Sequence, residues 1–365
     1  MCLLPNAGSF GMAVSTAMIF GLVSLMFLDT SINMAMQPFK MMVGDMVNEK
    51  QKGLAYSIQS FLCNAGSLVG FLFPFIFTWI GISNIAPQDV VPDSVIYSFY
   101  IGAAILILCV IYTTVKVKEM PPAEYAEYHG ITEEEKKEKI NMVKLLVKAP
   151  KAFWTVGLVQ FFCWFAFMFM WTYTNGSVAA NVFDAPTVET VVNGANKVVL
   201  DTKSIQYQNA ADWVGVLFAV QAIGSVLWAV CIPMFKNRKL IYSLSLVLGG
   251  IGFISTYFVH NQYVLFISFL LIGCAWAAML ALPFTILTNA LSGGHMGTYL
   301  GLFNGTICIP QIVAATLGGS ILALFTPKGM LPPEINMLVM AGVMLIIGAV
   351  CVYLIKETKG EQAKA

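Results

Sequence analysis

The stretch SFGMAVSTAMIFGLVSLMFLDTSINMAMQPFKMMVGDM, residues 9–46, is long and apolar enough to form a membrane-spanning helix. Its second half nevertheless contains polar and charged side chains. Between Phe27 and Asp45 there are two aspartates, an asparagine, a glutamine and a lysine. Such groups are rare in hydrocarbon because their burial costs several kcal/mol, so their presence indicates a function or a partner.

The composition of the whole chain indicates a polytopic membrane protein. Of its 365 residues, 58% are hydrophobic and only 11% are charged, whereas a soluble domain is about a quarter charged. Mean hydropathy is +0.78. We predict an all-α protein with nine transmembrane helices, at residues 9–46, 54–80, 95–115, 152–173, 213–235, 239–259, 263–291, 297–325 and 335–355.

The distribution of cations predicts that the C-terminus is cytoplasmic. Sixteen of the twenty Lys and Arg residues lie in the first, third and fifth loops and the C-terminal segment. The alternate loops contain Lys197, Lys203 and Lys328. By the positive-inside rule, the cation-rich segments face the cytoplasm.

The start of the chain bears on the number of helices. Nine spans that end inside must begin outside, and MCLLPNAGSF, residues 1–10, has the pattern of a helix end followed by a turn. We expect further spans upstream of this sequence. The alternative is a nine-span protein whose N-terminus lies outside.

Asp29 is the carboxylate that we expect to lie deepest in the membrane. It lies eleven residues before Lys40, or about 16 Å along a helix, near the middle of a ~30 Å core. Asn33 and Lys40 fall within about 40° of it on the helix surface. A carboxylate whose protonation depends on its surroundings suits a proton-coupled carrier, and the alternative is a hydrogen-bonding staple between helices. Lys40 can instead extend to the headgroups and form a helix-end charge pair with Asp45.

Amides and aromatic rings recur inside the predicted spans. A sugar carrier needs amides that exchange hydrogen bonds with hydroxyls, and a ring that stacks on the C–H face of the sugar. Gln160 and Trp164, at positions i and i+4, supply both on one helix face. The candidate substrate-binding residues are Asn33, Gln59, Gln160, Trp164, Asn304 and Gln311. The alternative is that such residues join helices or form interfacial belts, an interpretation we apply to Trp171 and Tyr173.

Two long polar segments divide the chain. We predict a partial N-terminal bundle at 1–115, a cytoplasmic linker at 116–150 and a C-terminal bundle at 151–365 with an external segment at 174–212. A weak internal repeat relates QPFKMMVGDMVNEKQKG, residues 37–53, to LPFTILTNALSGGHMG, residues 282–297. Both copies lie at the end of one span and the beginning of the next, as two parallel bundle repeats would require.

Four runs resemble the sucrose/proton symporter branch of the major facilitator superfamily, which is similar to the glycoside-pentoside-hexuronide:cation symporters. They are LDTSINMAMQPFKMMVGDM (28–46), KGLAYSIQSFLCNAGSLVG (52–70), ALPFTILTNAL (281–291) and HMGTYLGLFNGTICIPQIVA (295–314). The resemblance covers essentially the whole chain and implies the major facilitator fold lacking its first three helices, with a six-helix C-terminal bundle. It implies that Asp29 is the proton-coupling carboxylate and Asn33 the fourth-helix asparagine. Lys40 stands where the family usually has arginine. Lysine keeps the positive charge but lacks the planar guanidinium group, which can donate two parallel hydrogen bonds to a carboxylate or a sugar.

We therefore expect a secondary active transporter that moves a di- or oligosaccharide with protons by alternating access. The alternatives are a sodium-coupled or facilitative carrier of another small solute, and a non-transporting truncated remnant. The sequence contains no nucleophile and base pair, phosphate loop or metal-ligand pattern, so we predict no enzyme activity, no cofactor and no metal. The expected partners are sugar, protons and the lipid of an inner or plasma membrane. We expect a monomer that does not bind nucleic acid.

Overall fold

The computed structural model describes residues 14–46, 52–82, 91, 93–118, 121, 124, 142–192, 195–235, 237–290, 296–327 and 329–355. These residues are almost entirely helical. In chain order, the helices are α1 (Val14–Met46), α2 (Lys52–Trp79), α3 (Asp93–Lys116), α4 (Met142–Val147), α5 (Lys151–Asn181), α6 (Ile205–Cys231), α7 (Arg238–Ser255), α8 (Leu265–Ala290), α9 (Met296–Phe303), α10 (Gly305–Phe325) and α11 (Ile335–Cys351).

Eight spans in the described part of the chain are long and apolar enough to cross a membrane. They lie in α1, α3, α5, α6, α7, α8, the α9–α10 pair and α11. The remaining predicted span, 54–80, coincides with helix α2, in which the shorter apolar stretch is Phe61–Phe73. The prediction of an all-α polytopic membrane protein is confirmed.

The chain forms two compact units, Met1–Glu138 and Lys139–Ala365. In the first unit α2 packs against both α1 and α3. Large apolar side chains on α1 are strongly exposed, including Met18, Phe27 and Met34, each with at least 71% of its surface accessible. Large apolar side chains exposed along a helix are typical of membrane spans, where lipid tails contact them.

The second unit is built around α5. This helix packs against α6, α8, α10 and α11, while α7 packs against α8 and α11. Its core contains large buried aromatic side chains such as Phe153, Phe167 and Phe253. Close backbone approach joins α6 to α8. A Cβ at Gly224 would lie 2.6 Å from the carbonyl oxygen of Leu270, so only small residues allow this contact.

Two predicted boundaries differ from the structure. Helix α5 continues to Asn181 and α6 begins at Ile205, so both helices extend into the segment predicted to be external, 174–212. Between them lies an antiparallel hairpin of β1 (Thr187–Val192) and β2 (Ala195–Leu200), with Thr187 opposite Leu200.

The polarity of residues 174–181 does not end helix α5, because three of the polar side chains bond to carbonyls of their own helix. The hydroxyl of Thr174 donates to the Met170 carbonyl, and that of Ser177 donates to the Tyr173 carbonyl. The Asn181 amide donates to the Ser177 carbonyl. These three side chains therefore gain hydrogen bonds without interrupting the helix.

Candidate functional site

Asp29 lies on α1 and is exposed. The side-chain amide of Asn33, one turn later and half-buried, donates to the main-chain carbonyl of Asp29 at 2.9 Å. Asn33 thus bonds to the backbone of its own helix in this structure, and its amide group does not hold the Asp29 carboxylate. The two residues share one helix face, and the Asp29 side chain is exposed and not packed between helices.

The other candidates in the first unit are less fully described. Gln59 lies on α2 and is half-buried. The side chains of Lys40 and Asp45 lie outside the described residues, so their charge pair stays a prediction.

Gln160 is 1% exposed and bonds across the interface between α5 and α8. Its side-chain nitrogen donates to the carbonyl oxygen of Met279 at 2.9 Å. Pro283, four residues later inside α8, has no N–H, so the Met279 carbonyl lacks its helical partner. Gln160 satisfies that carbonyl, which also fixes the orientation of its amide.

We expect Gln160→Leu to destabilise the second unit by about 1–3 kcal/mol, because the buried Met279 carbonyl loses its donor. Pro283→Ala should restore much of this loss in the double variant, since an alanine N–H supplies the helical bond. Thermal unfolding of the purified full chain in detergent measures both effects. If Gln160→Leu lowers the unfolding temperature equally in the wild-type and Pro283→Ala backgrounds, Gln160 does not stabilise the protein through the Met279 carbonyl.

Trp164 lies one turn after Gln160 and belongs to an aromatic cluster. Its ring centroid is 5.8 Å from that of Trp276 on α8, with an interplanar angle of 76°. The Trp276 ring also contacts Phe167 at 4.9 Å and Trp171 at 5.8 Å. Trp164 is 9% exposed and Trp171 is 42% exposed, so the cluster extends from the core to an accessible surface.

Two polar atoms on this face lack a hydrogen-bond partner within the described part of the chain. They are Oε1 of Gln160 and the indole Nε1 of Trp164, both buried. One is an acceptor and the other a donor, on adjacent turns of α5. An unsatisfied buried polar group costs about 1–3 kcal/mol, so each of the two atoms retains the capacity for one further hydrogen bond.

Asn304 and Gln311 lie elsewhere in the second unit, and both are half-buried. Asn304 occupies a turn that separates α9 from α10, so the predicted span 297–325 is not one uninterrupted helix. The main-chain carbonyl of Asn304 accepts from the N–H groups of Ile307 and Cys308, at 3.0 and 3.1 Å. The backbone of Asn304 stays in the right-handed helical region, and α9 and α10 together form one apolar span, Thr298–Phe325.

The structure also corrects the interpretation of Tyr173. We predicted that it belongs to an interfacial belt, but it is 9% exposed, and its hydroxyl lies 2.6 Å from where a Cβ of Gly318 on α10 would be. Tyr173 therefore fills the contact between α5 and α10. Glycine at 318 makes room for it.

Comparison with known families agrees with this architecture. The Major Facilitator Superfamily sequence profile matches residues 2–195 and, again, residues 179–365. The chain belongs to the Major Facilitator Superfamily. Among curated proteins, none matches the chain. Membership in the Major Facilitator Superfamily makes this protein a secondary transporter of small molecules embedded in a membrane.

In this Major Facilitator Superfamily chain, the sequence patterns identified Gln160 and Trp164 as neighbours on one helix face. They did not reveal a second group of polar residues, which surrounds Glu334. At one end of the second unit, the Glu334 carboxyl lies against Gly176 of α5, and its charge is felt by Tyr207 of α6. The sequence indicated Glu334 only as a loop residue after Pro332 and Pro333. One sequence signal could have revealed this cluster. Residues 176–180, which follow the predicted end of the span, are mostly small, and small residues favour close helix packing.

Proposed function

We propose that this protein is a sugar:proton symporter, similar to the sucrose/proton branch of its superfamily, which moves a di- or oligosaccharide by alternating access. The proposal rests on two buried polar atoms of α5 that have no hydrogen-bond partner among the described residues. Gln160 Oε1 can accept a hydrogen bond from a sugar hydroxyl, and Trp164 Nε1 can donate one. The aromatic rings beside them offer an apolar surface suited to the C–H face of a sugar.

The proposed coupling residue is Asp29. Its position inside an apolar span supports this role, because an ionised carboxylate that faced hydrocarbon would be very costly. The exposed face of α1 at Asp29 therefore borders a polar pathway in the proposed mechanism. Proton uptake by Asp29 removes that charge, so the proton and the sugar can favour the same conformational step.

The orientation with a cytoplasmic C-terminus, in an inner or plasma membrane, is part of the same proposal. The cation-rich first, third and fifth loops support it. Helix α5 then runs outward from Lys151, and the end formed by Asn181 and the start of α11 is external.

The test is uptake of a panel of small sugars into proteoliposomes that contain the full chain. Accumulation that requires a proton gradient and collapses with a protonophore supports symport. A requirement for sodium, or equilibration without accumulation, would replace the proposal with a sodium-coupled or facilitative carrier. Absence of transport for every solute in the panel, in correctly inserted protein, would contradict the proposed activity.

We expect Trp164→Phe to weaken sugar binding about fivefold, because phenylalanine keeps a ring but removes the indole donor, whose hydrogen bond is worth about 1 kcal/mol. Equilibrium binding of the transported sugar to the purified protein measures the loss. Trp154→Phe is the matched control, since Trp154 lies on the same helix and is 53% exposed. Equal affinities for Trp164→Phe and the control would contradict a hydrogen bond from Trp164 to the sugar.

A further inference from the structure

Glu334 lies immediately before helix α11, at the N-cap position, but its side chain makes no capping hydrogen bond. Its main chain begins the helix, since its carbonyl accepts from the Met337 N–H at 2.9 Å. The side chain turns toward α5 instead. Its placement therefore reflects contacts between helices and not the capping of its own helix.

The carboxyl group of Glu334 lies over Gly176 of α5. A Cβ at Gly176 would overlap its Oε2 atom. The absence of a side chain at 176 creates the space that the carboxyl occupies. Beside this contact, Ser177, Val178, Leu265, Phe269 and Ile335 line a small cavity whose accessible surface is almost entirely apolar.

Two tyrosines lie within electrostatic range of the carboxyl group, Tyr173 on α5 and Tyr207 on α6. The Tyr207 hydroxyl accepts a hydrogen bond from the side-chain nitrogen of Asn175 at 2.9 Å. The Asn175 Oδ1 atom is buried and has no partner in the described part of the chain. The surroundings of Glu334 thus offer neutral polar groups, one of them an acceptor with free capacity.

Two further titratable side chains among the described residues at this end are exposed. Tyr257 and His260, from the end of α7 and the loop that follows it, line an open depression together with Pro333 and Asn336. His260 is exposed. Burial against α5, with the loss of water around the charged form, raises the pKa of Glu334 from 4.5 to about 7.

We propose that Glu334 is a proton-binding site of the C-terminal unit, separate from Asp29. The neutral carboxyl packs over Gly176 and can donate a hydrogen bond to an oxygen of the cluster. The ionised carboxylate is stabilised by water and moves away from α5, which loosens the start of α11. The proton comes from solvent at the end of the unit that the cation distribution predicts to be external, and the site does not depend on which solute is transported.

Infrared difference spectroscopy of the full chain during a pH titration tests proton binding directly. The Asp29→Asn background removes the other membrane carboxylate of interest. We expect a carboxylic-acid C=O band that disappears with a midpoint near pH 7, and its loss in Glu334→Gln. Persistence of that band in Glu334→Gln, or a Glu334-dependent band with a midpoint near the ordinary value of 4.5, would overturn the proposal.

A steric variant tests the role of Gly176. In Gly176→Ala the added methyl displaces the Glu334 carboxyl, and since that group is the flexible end of a side chain, we expect the protein to fold. The midpoint should then fall toward 4.5 as the carboxyl returns to water. Gly319→Ala on α10 is the matched control, because nothing lies within 4 Å of a Cβ there. An unchanged midpoint in Gly176→Ala would contradict packing over Gly176 as the cause.

Stability provides an independent readout with a definite sign. Because the folded pKa is raised, the folded state holds more protons than the unfolded state between pH 4.5 and about 7. The contribution of Glu334 is therefore complete below pH 4.5 and is lost as the pH rises through about 7. We expect the unfolding temperature of the wild-type protein to fall across this window relative to Glu334→Gln. A constant difference between the two proteins would count against the site.

Discussion

Replacement of Asp29 by asparagine is expected to abolish proton-driven accumulation of sugar while exchange of sugar across the membrane continues. Asparagine has the size of aspartic acid and keeps its hydrogen-bonding capacity, but it cannot bind or release a proton. The sugar site and the conformational change remain, whereas the link to the proton gradient is lost. The accumulation ratio in proteoliposomes should fall from above one to about one, the value that coupling-free equilibration requires.

The matched control for this variant is Asp93→Asn. Asp93 is also an exposed aspartate of the first unit, but it is the first residue of α3 and of its span, whereas Asp29 lies well inside α1. Its replacement should leave accumulation unchanged. Full accumulation in Asp29→Asn would remove Asp29 from the coupling mechanism, and loss of both accumulation and exchange would assign it to sugar binding or folding.

Replacement of Gly273 by alanine is expected to give the largest loss of stability among single methyl additions in the second unit. A Cβ at Gly273 of α8 would overlap the carbonyl oxygen of Gln221 and lie 2.7 Å from the amide nitrogen of Ser225, both on α6. These neighbours are main-chain atoms, so they cannot rotate away as a side chain can. Added volume in a close contact costs about 1–3 kcal/mol, and we expect Gly273→Ala to lie at the upper end.

The measurement is the unfolding temperature of the purified chain in detergent, with Gly319→Ala as the control. Gly319 is a helical glycine of α10 whose added Cβ would meet no atom within 4 Å. Alanine should stabilise the helix at that position, since glycine is the poorer helix former. If Gly273→Ala and Gly319→Ala unfold at the same temperature, α6 and α8 do not pack as closely as the structure indicates.

Sequence patterns predicted much of the architecture because the length and polarity of a span are local properties. The run at 335–355 is apolar throughout, and α11 occupies Ile335–Cys351. Helix α5 continues past the predicted end of its span at residue 173 for a local reason that composition does not reveal. The polar side chains of Thr174 and Ser177 bond to carbonyls of their own helix, so the helix continues to Asn181.

The candidate site was predictable only in part. The i and i+4 spacing placed Gln160 and Trp164 on one face. That spacing could not reveal that Pro283, more than a hundred residues later, frees the carbonyl to which Gln160 donates. Nor could it distinguish which of the two atoms of the Gln160 amide stays available for a ligand.

The amino-acid sequence by itself determined that this protein crosses a membrane many times and where its helices lie, because the cost of exposing apolar residues to water depends on each segment alone. The same local argument identified Asp29 as an unusual charge in its helix. Tertiary structure alone decided which polar groups acquire partners. It left Gln160 Oε1 and Trp164 Nε1 unpaired and brought Glu334 over Gly176. The physical reason is that hydrogen bonding and desolvation depend on atoms from other helices, whose approach is set by packing across the whole unit.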